Sequence, residues 1–234
     1  MELYVKEQFS RTFLMLGEDN MRRLFDSRVA VFGIGGVGGY VVEALARTGI
    51  GALDIIDNDT VCVSNINRQI YALHSTVGRY KVDVARERIL DINPECRVTA
   101  YRTFFLPETA SQFHFEDYDY VVDCIDTVAG KIQIAVQAVN AKTRVISCMG
   151  AGNKMNPLEF EVADISKTSV CPLARAVRQG LRKVGINSLK VVYSKETIVK
   201  SKSDNPERVP GSNAFVPSVA GLIIASEVVK DIMS

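Results

Sequence analysis

The chain has no tryptophan, only two histidines, and five cysteines that include no Cys-x-x-Cys pair. An odd number of widely separated cysteines argues against a disulfide framework and against a four-cysteine zinc site. The longest apolar run near the C-terminus covers only residues 220–225, too few to span a bilayer. The first residues, MELYVKEQFSR, lack the apolar stretch of a secretion signal. We therefore expect a cytoplasmic protein that makes no contact with a membrane.

The net charge of +1 conceals an uneven distribution along the chain. Residues 165–202 contain nine Lys or Arg and a single acid, Glu196, so this segment carries +8. The remainder of the chain carries −7. Such an asymmetry within one protein predicts a surface that binds a polyanion.

A glycine-rich turn follows the first predicted strand, in the sequence RVAVFGIGGVGG at residues 28–39. Gly33, Gly35 and Gly38 fit the spacing G-x-G-x-x-G, which allows a tight turn, a close approach of backbone to phosphate, and close helix–strand packing. The start of the following helix offers free N–H groups to an anion. Asp57 lies 19 residues beyond Gly38, at the end of a second strand, where an acceptor for a ribose hydroxyl is expected. The pattern predicts a nucleotide site.

Strands alternate with helices over the first 150 residues, which predicts a Rossmann-like doubly wound α/β fold with a mainly parallel sheet. We expect strands at 28–34, 51–57, 97–102, 118–125 and 144–148, and helices at 36–48, 81–90 and 128–142. Two short helices over residues 5–25, separated near Gly17, precede them. Further on we expect an exposed strand at 158–163, a helix at 172–184, a strand at 189–193, a flexible loop at 194–213 and a helix at 218–232.

The chain is interpreted as a single domain in three parts. Residues 1–27 form N-terminal helices, residues 28–150 form the nucleotide-binding core, and residues 151–234 form a basic substrate-binding extension.

The polar segment DNDTVCVSNINRQ begins at the end of the second strand. A dinucleotide dehydrogenase needs only the acid here, yet this segment also holds Asn65, Asn67 and Arg68, and Lys81 follows 13 residues after Arg68. Amide donors and two cations beside a glycine-rich turn suit a triphosphate, whose oxygens need neutralising when a phosphoryl bond is exchanged. Asp126 ends the fourth strand at the same sheet edge, and it is a candidate Mg²⁺ ligand.

The motifs GIGGVG, DNDTVCVSNINRQ and DCIDT, with the downstream lysine, resemble the ThiF/MoeB/HesA superfamily of ATP-dependent activators related to ubiquitin-activating enzymes. Three further segments resemble the bacterial tRNA threonylcarbamoyladenosine dehydratases: FSRT with LG near the start, CPLARAVRQGLRKVGI, and GSNAFVPSVAGLIIASEVVKDI. The resemblance implies that Gly35 contacts the nucleotide, Asp57 the ribose, and Asn65 and Arg68 the phosphates. Lys81 would bind phosphate in the transition state.

The remaining implied roles concern the metal, the subunit partner and the rest of the ATP site. Asp126 would bind Mg²⁺, and Arg11 would enter the site of a neighbouring subunit, which implies a homodimer. Arg11, Arg68, Lys81 and Asp126 form the implied catalytic set. The ATP-binding set also includes Gly33, Gly36, Gly38 and Asp59. Where MoeB-like members have an amide, this chain has Thr127.

The helix predicted at 172–184 has a basic face. Leu173, Val177, Leu181 and Val184 are expected to face the core. The alternative to an RNA-binding surface is a solvated cationic face, but the lysines of the following loop add charge to the same region. The expected RNA contacts are Arg175, Arg178, Arg182 and Lys183, supported by Lys195, Lys200 and Lys202 of the loop.

The resemblance implies an ATP-dependent dehydratase that adenylates the threonyl carboxylate of threonylcarbamoyladenosine in tRNA and cyclises it, releasing AMP and pyrophosphate. One rival is an activator of a ubiquitin-like sulfur-carrier protein, although the zinc-binding cysteine pairs of MoeB-like members are absent. Other rivals are a nicotinamide-dependent oxidoreductase and a nucleotide-gated RNA-binding module. The sequence does not decide whether Cys171 forms a thioester, whether a monovalent cation binds the C-terminal loop, or whether a sulfur-transfer protein is a partner.

Overall fold

A computed structural model of the chain describes residues 7–199 and 210–234. The strands of its one sheet are β1 (Arg28–Phe32), β2 (Ala52–Ile56), β3 (Arg97–Tyr101), β4 (Tyr120–Asp123), β5 (Arg144–Cys148), β6 (Phe160–Asp164) and β7 (Lys190–Ser194). The α-helices are α1 (Ser10–Asp26), α2 (Gly38–Thr48), α3 (Lys81–Ile92), α4 (Val128–Ala141), α5 (Pro172–Lys183) and α6 (Val216–Met233). None of the helices in these ranges is both long and apolar enough to cross a bilayer.

The strands lie in the order β3-β2-β1-β4-β5-β7-β6. All neighbours run parallel except β6, which pairs antiparallel with β7 at one edge. The predicted doubly wound, mainly parallel fold is therefore confirmed. The chain reverses its direction of winding between β1 and β4, and open α/β sheets bind ligands at the carboxyl ends of the strands at such a point.

Helices cover both faces of the sheet, so the central strands are buried on both sides. On one face α2 packs against α6 and α3, α1 packs against α6, and a large apolar cluster that includes Val31, Leu45 and Ile224 fills the interface. On the other face α4 packs against α5, above a second apolar cluster that includes Val177 and Leu181. This layering places the N-termini of α2 and α4 at the same edge of the sheet.

The N-terminal helical segment bends at Gly17, whose φ of +76° lies in the left-handed region. The predicted separation of two short helices at this glycine is confirmed, because such a backbone conformation costs glycine little. The predicted start of that segment at residues 5 and 6 lies outside the described residues.

Two expectations for the basic extension need correction. In α5 the buried residues are Ala174, Val177 and Leu181, whereas Val184 is 52% exposed because the helix ends at Lys183. The polar stretch predicted as a flexible loop begins within β7, whose last residue is Ser194. Residues 200–209 of that loop lie outside the described part of the chain.

The glycine-rich turn is held in place by backbone contacts that leave no room for side chains. Gly33 has a φ of +81°, and a Cβ on it would come within 2.8 Å of the carbonyl oxygen of Cys124. A Cβ on Gly38 would lie 1.8 Å from the carbonyl oxygen of Gly33. Gly35 differs, because its nearest neighbour would be the amide nitrogen of Gln69 at an ordinary 3.6 Å. Gly33 and Gly38 therefore fix the turn, whereas a Cβ on Gly35 would make only ordinary contacts with the side chain of Gln69.

We expect Gly38→Ala to lower the free energy of unfolding by about 1–3 kcal/mol, because the added methyl group overlaps the backbone of the turn. Gly35→Ala is the matched control. Its free energy of unfolding should stay within about 0.5 kcal/mol of the parent value, because the added methyl group makes only ordinary contacts with Gln69. Urea denaturation of both variants measures the difference. Equal unfolding midpoints for the two would contradict this account of the turn.

Candidate nucleotide-binding site

Four segments meet at the carboxyl edge of the sheet. The turn after β1 holds the glycines, the loop after β2 begins with Asp57, and the loop after β4 contains Asp126. The N-terminus of α6 also reaches this edge, since Pro217 would lie 3.3 Å from a Cβ on Gly36. Because three strand ends and a helix start converge here, the polar side chains of distant segments face a common groove.

Asp57 connects the loops that follow β1 and β2 through hydrogen bonds to their backbone. Its Oδ2 accepts a hydrogen bond from the backbone N–H of Ile34 at 2.9 Å, and its Oδ1 accepts one from the N–H of Asp59 at 2.9 Å. Burial raises the pKa of the carboxyl group above its ordinary value, an effect that the charge of Lys81 and these two hydrogen bonds only partly offset. A carboxylate has about four acceptor sites, so Asp57 retains capacity for a ribose hydroxyl.

Lys81, the first residue of α3, is a buried cation between two acids. Its side chain is 6% exposed, and its Nζ lies 2.7 Å from Oδ2 of Asp59 and 4.0 Å from Oδ1 of Asp57. Its backbone N–H also donates to the carbonyl of Asp59 at 3.0 Å. The ammonium group is thus held at the groove beside the positive end of a helix dipole, a setting that favours an anionic ligand.

The segment between β2 and α3 positions Asn65 and Arg68. Oδ1 of Asn65 accepts from the N–H of Cys62 at 3.1 Å and so closes the short 3₁₀ turn Val63–Asn65. Nη1 of Arg68 donates to the carbonyl of Ser64 at 2.8 Å, and the Cγ of Arg68 would lie 3.7 Å from a Cβ on Gly36. The half-buried side chain of Arg68 therefore passes beside the glycine-rich turn.

Asp126 lies in the loop between β4 and α4, and it is exposed. Nowhere in residues 7–199 or 210–234 do three His, Cys, Asp or Glu side chains gather as a complete metal site. Next to Asp126, the hydroxyl of Thr127 is buried and has no hydrogen-bond partner among the described residues. A divalent cation here would need oxygens from a ligand in addition to the carboxylate of Asp126.

Sequence reasoning missed a buried ionic cluster beneath this loop. Lys131 is fully buried, and its Nζ lies 3.0 Å from Oδ1 of Asp123 and 2.7 Å from the carbonyl oxygen of Cys148. Ser147 donates to the other oxygen of Asp123, and the N–H of Ile125 donates to Oδ1 at 3.2 Å. The cluster joins the ends of β4 and β5 to the start of α4. A single Asp ending an apolar strand, with one Lys inside an apolar helix, was the available signal.

Arg11 lies at the opposite, amino edge of its own sheet. Two residues before it, Phe9 packs against Phe25 with ring centroids 5.5 Å apart, and Gln8 donates to the carbonyl of Ile92, where α3 ends. The five-residue strands separate this edge from the glycine-rich turn by about 16 Å. Arg11 is exposed, and it lies away from the glycine-rich turn of the same chain.

The basic face of α5 is partly as predicted. Arg175, Arg182 and Lys183 are exposed, and none has an acidic partner within the described part of the chain. Arg178 is different, because its Nη1 donates to the carbonyls of Ile165 at 3.2 Å and Thr168 at 3.0 Å. Any contact of Arg178 with RNA would therefore use its other guanidinium nitrogens.

Two lysines counted toward the basic segment have acidic partners. Lys190 pairs with Asp231 at 2.8 Å and with Glu227 at 2.9 Å, both on α6, and Lys195 pairs with Glu161 of β6 at 2.5 Å. Lys200 and Lys202 lie outside the described residues. The charge excess of the segment is therefore smaller on the folded surface than along the sequence.

Cys171 is 5% exposed and packs in the apolar cluster beneath α5. A thiol in this position is shielded from an acyl donor in the groove, so the geometry gives no support to a thioester role.

Comparison with known proteins agrees with this geometry. The sequence profile of the ThiF family matches residues 9–234. The chain is 45% identical to the tRNA threonylcarbamoyladenosine dehydratase of Bacillus subtilis (strain 168), covering 97% of this chain and 94% of that protein. Crystal structures of the Escherichia coli enzyme TcdA superpose with a TM-score of 0.91 for the AMP complex and 0.90 for the ATP complex. These structures share 36% and 35% identity with the chain, covering 99% of it and 97% of each of them.

A family profile that spans all but the first eight residues, together with this level of identity and fold similarity, leaves one assignment: the chain belongs to the ThiF family.

Proposed function

We propose that the chain is an ATP-dependent dehydratase that adenylates the threonyl carboxylate of threonylcarbamoyladenosine in tRNA and closes it into a ring. The observation that carries this proposal is the meeting of Arg68, Lys81 and the glycine-rich turn at one sheet edge. A dinucleotide oxidoreductase has no need of two cations at that position. The end-to-end similarity to dehydratases crystallised with ATP and with AMP supports the same activity.

ATP binds with its phosphates along the glycine-rich turn and the N-terminus of α2. Asp57 accepts a ribose hydroxyl, and Gly33, Gly35, Gly36 and Gly38 allow the phosphates to approach the backbone. Arg68 and Asn65 donate to the phosphates. Lys81 exchanges its contact with Asp59 for the phosphate oxygens that gain charge in the transition state. The glycine-rich turn and Asp57 are already fixed by backbone contacts, so these groups require little reorganisation.

Magnesium fits this site as a cation shared with the nucleotide. Asp126 would hold it through one carboxylate, and phosphate oxygens and water would complete its shell, which is how Mg²⁺ is commonly bound. It would supply neutralisation of charge on the phosphates. The buried Asp123–Lys131 pair fixes the loop that presents Asp126, since Asp123 bonds to the backbone of Ile125.

The reaction needs no nucleophile from the protein. The threonyl carboxylate attacks the α-phosphorus of ATP, an acyl-adenylate forms, and pyrophosphate leaves. The carbamoyl group of the same nucleotide then attacks the activated carbonyl and AMP leaves, with net loss of one water from the tRNA base. Because nucleophile and electrophile belong to one nucleotide, proximity replaces covalent catalysis, consistent with the burial of Cys171.

The exposed cations of α5 hold the tRNA. Arg175 lies in the first turn of α5, and this helix starts next to the carboxyl end of β5, since Leu173 would lie 3.8 Å from a Cβ on Gly150. The basic face therefore begins near the nucleotide edge and extends away from it through Arg182 and Lys183. Such cations bind the phosphate backbone and position the modified base without reading its sequence. The reaction takes place in the cytoplasm.

A homodimer completes each site with Arg11 of the other subunit. Within one subunit Arg11 lies at the amino edge of the sheet, away from the groove. Next to it on α1, Leu14 is 82% exposed and Met15 is 84% exposed. Large apolar side chains of this exposure on a helix beside a required arginine fit a subunit contact.

The main test incubates the purified protein with ATP, Mg²⁺ and tRNA that bears threonylcarbamoyladenosine. We expect AMP and pyrophosphate in equal amounts and a nucleoside lighter by one water, measured by mass spectrometry. Arg68→Ala and Lys81→Ala should each slow this reaction about 100-fold, since each removes a donor to developing charge. Arg79→Ala, whose side chain pairs with Glu87, is the matched control. An unchanged nucleoside mass with the parent enzyme would refute the assignment.

Reversal of charge on α5 should weaken tRNA binding and leave ATP binding intact. For Arg175→Glu combined with Arg182→Glu, we expect the slope of log affinity against log salt to fall by about 2, because two phosphate contacts are lost. Arg86→Glu on α3 is the control, at the other end of the strand order. Filter binding over a salt series measures both. A double variant with the parental salt slope would exclude this face from the RNA interface.

Mixing two impaired variants tests Arg11 across the dimer. Arg11→Ala and Lys81→Ala are each expected to retain only about a hundredth of the parental activity alone. A heterodimer of the two contains one site with both residues intact, so random co-assembly should restore roughly a quarter of the parental activity. AMP release from co-expressed subunits measures this. No recovery in a confirmed heterodimer would mean that Arg11 acts within its own subunit or not at all.

A further inference from the structure

One exposed side chain joins the phosphate-binding segment to the C-terminal part of the chain. Oδ1 of Asn67 accepts a hydrogen bond from Nη1 of Arg68 at 2.9 Å. Nδ2 of the same amide donates to the carbonyl oxygen of Ser212 at 3.0 Å, across 145 residues of sequence. An amide group has both an acceptor and donors, so Asn67 makes the two contacts at once.

Ser212 belongs to residues 211–217, here named the strap. The strap lies beside the glycine-rich turn, where Pro217 would be 3.3 Å from a Cβ on Gly36. Oδ1 of Asn213 accepts from the N–H of Val216 at 2.9 Å and so caps the start of α6. The strap therefore leads directly into α6, whose first turn lies beside the glycine-rich turn.

The other side of the strap is fixed to the basic extension. The N–H of Gly211 donates to Oδ1 of Asn153 at 2.6 Å, and Nδ2 of Asn213 donates to the carbonyl of Lys154 at 2.8 Å. Lys154 is buried and donates through its Nζ to the carbonyl of Glu196, just beyond β7. A continuous path of hydrogen bonds thus runs from Arg68 through Asn67 and the strap into residues 151–199.

We propose that Asn67 is a positioning residue that couples binding of tRNA by the extension to the orientation of the Arg68 guanidinium at the ATP phosphates. The inference rests on the proposed function. With the strap seated, Asn67 is held by Ser212 and in turn holds Arg68. When the strap shifts, Asn67 loses its anchor at Ser212, and the Asn67–Arg68 pair is held only by the bond of Arg68 to the carbonyl of Ser64.

The exposure of Asn67 suits this role. A hydrogen bond between exposed groups contributes little net stability, because water replaces either partner readily. The bond from Asn67 to Ser212 is therefore made or broken at small cost, and an RNA that contacts the extension has enough binding energy to keep the strap seated. If Asn67 were buried, breaking its bond to Ser212 would be costly, and tRNA binding would not change the orientation of Arg68.

The test measures ATP affinity by calorimetry with and without a saturating tRNA that lacks the modified base and cannot react. The ratio of the two affinities is the coupling factor, and it cancels any direct effect of a substitution on ATP binding. Asn67→Asp keeps an acceptor for Arg68 but cannot donate to Ser212. Asn67→Ala loses both bonds, and Asn213→Ala loosens the strap while leaving Asn67 intact. Ser64→Ala is the control, because Ser64 contacts Arg68 through its carbonyl alone.

We expect the parent protein and Ser64→Ala to bind ATP at least about five-fold more tightly with tRNA present, and the ratio to fall to about 1 in the other three variants. Unchanged unfolding midpoints would show that the variants are folded. If Asn67→Asp has the same coupling factor as the parent protein, the inference is overturned. A coupling factor of about 1 in the parent protein itself also overturns it. A parent that binds no tRNA at all overturns the proposed function as well, so the two failures are distinguishable.

Discussion

The site depends on one contact between backbone atoms, where the start of α2 meets the end of β1. A side chain on Gly38 would lie 1.8 Å from the carbonyl oxygen of Gly33, and one on Gly33 would lie 2.8 Å from the carbonyl oxygen of Cys124. Because the backbones of Gly33, Gly38 and Cys124 approach each other this closely, α2 begins directly above the point where the sheet changes its direction of winding. Every polar group of the groove is placed relative to that turn, from Asp57 on one side to the loop after β4 on the other.

The cation Lys81 lies between the acids Asp57 and Asp59 beside the turn, and this arrangement has an energetic reason. Lys81 is almost fully buried, and a buried ammonium group without a partner is costly, so Asp57 and Asp59 hold its charge. Asp59 is exposed, so its bond to Lys81 can be exchanged for a phosphate oxygen without leaving a buried charge unpaired. Asp57 is fixed by two backbone N–H groups and keeps its place during that exchange.

Local patterns in the sequence predicted the fold and the sheet edge at which the candidate site residues lie, because the glycine turn, the strand ends and the helix starts are short-range features. The sheet carries Asp57, Arg68 and Asp126 to one edge as a consequence of its parallel topology. Pairings between distant residues could not be predicted in this way. Neither the Asp123–Lys131 pair nor the bond from Asn67 to Ser212 produces a periodic pattern in the sequence. The acidic partners of Lys190 lie on α6, some 40 residues further along the chain. Counting charge along the chain therefore overestimated the cationic surface.

The proposed reaction explains why cations come from so many parts of the fold. ATP and tRNA are both polyanions, and the attacking carboxylate is itself negative, so three anionic groups must approach within bonding distance. One helix terminus or one arginine supplies too little positive charge for that. Arg68 and Lys81 come from the segment after β2 and the start of α3, and Arg175 from the extension. Under the proposed homodimer, Arg11 would come from the other subunit. Under this proposal, the complete set of cations around the ATP phosphates is assembled only when the strap and the second subunit are in place.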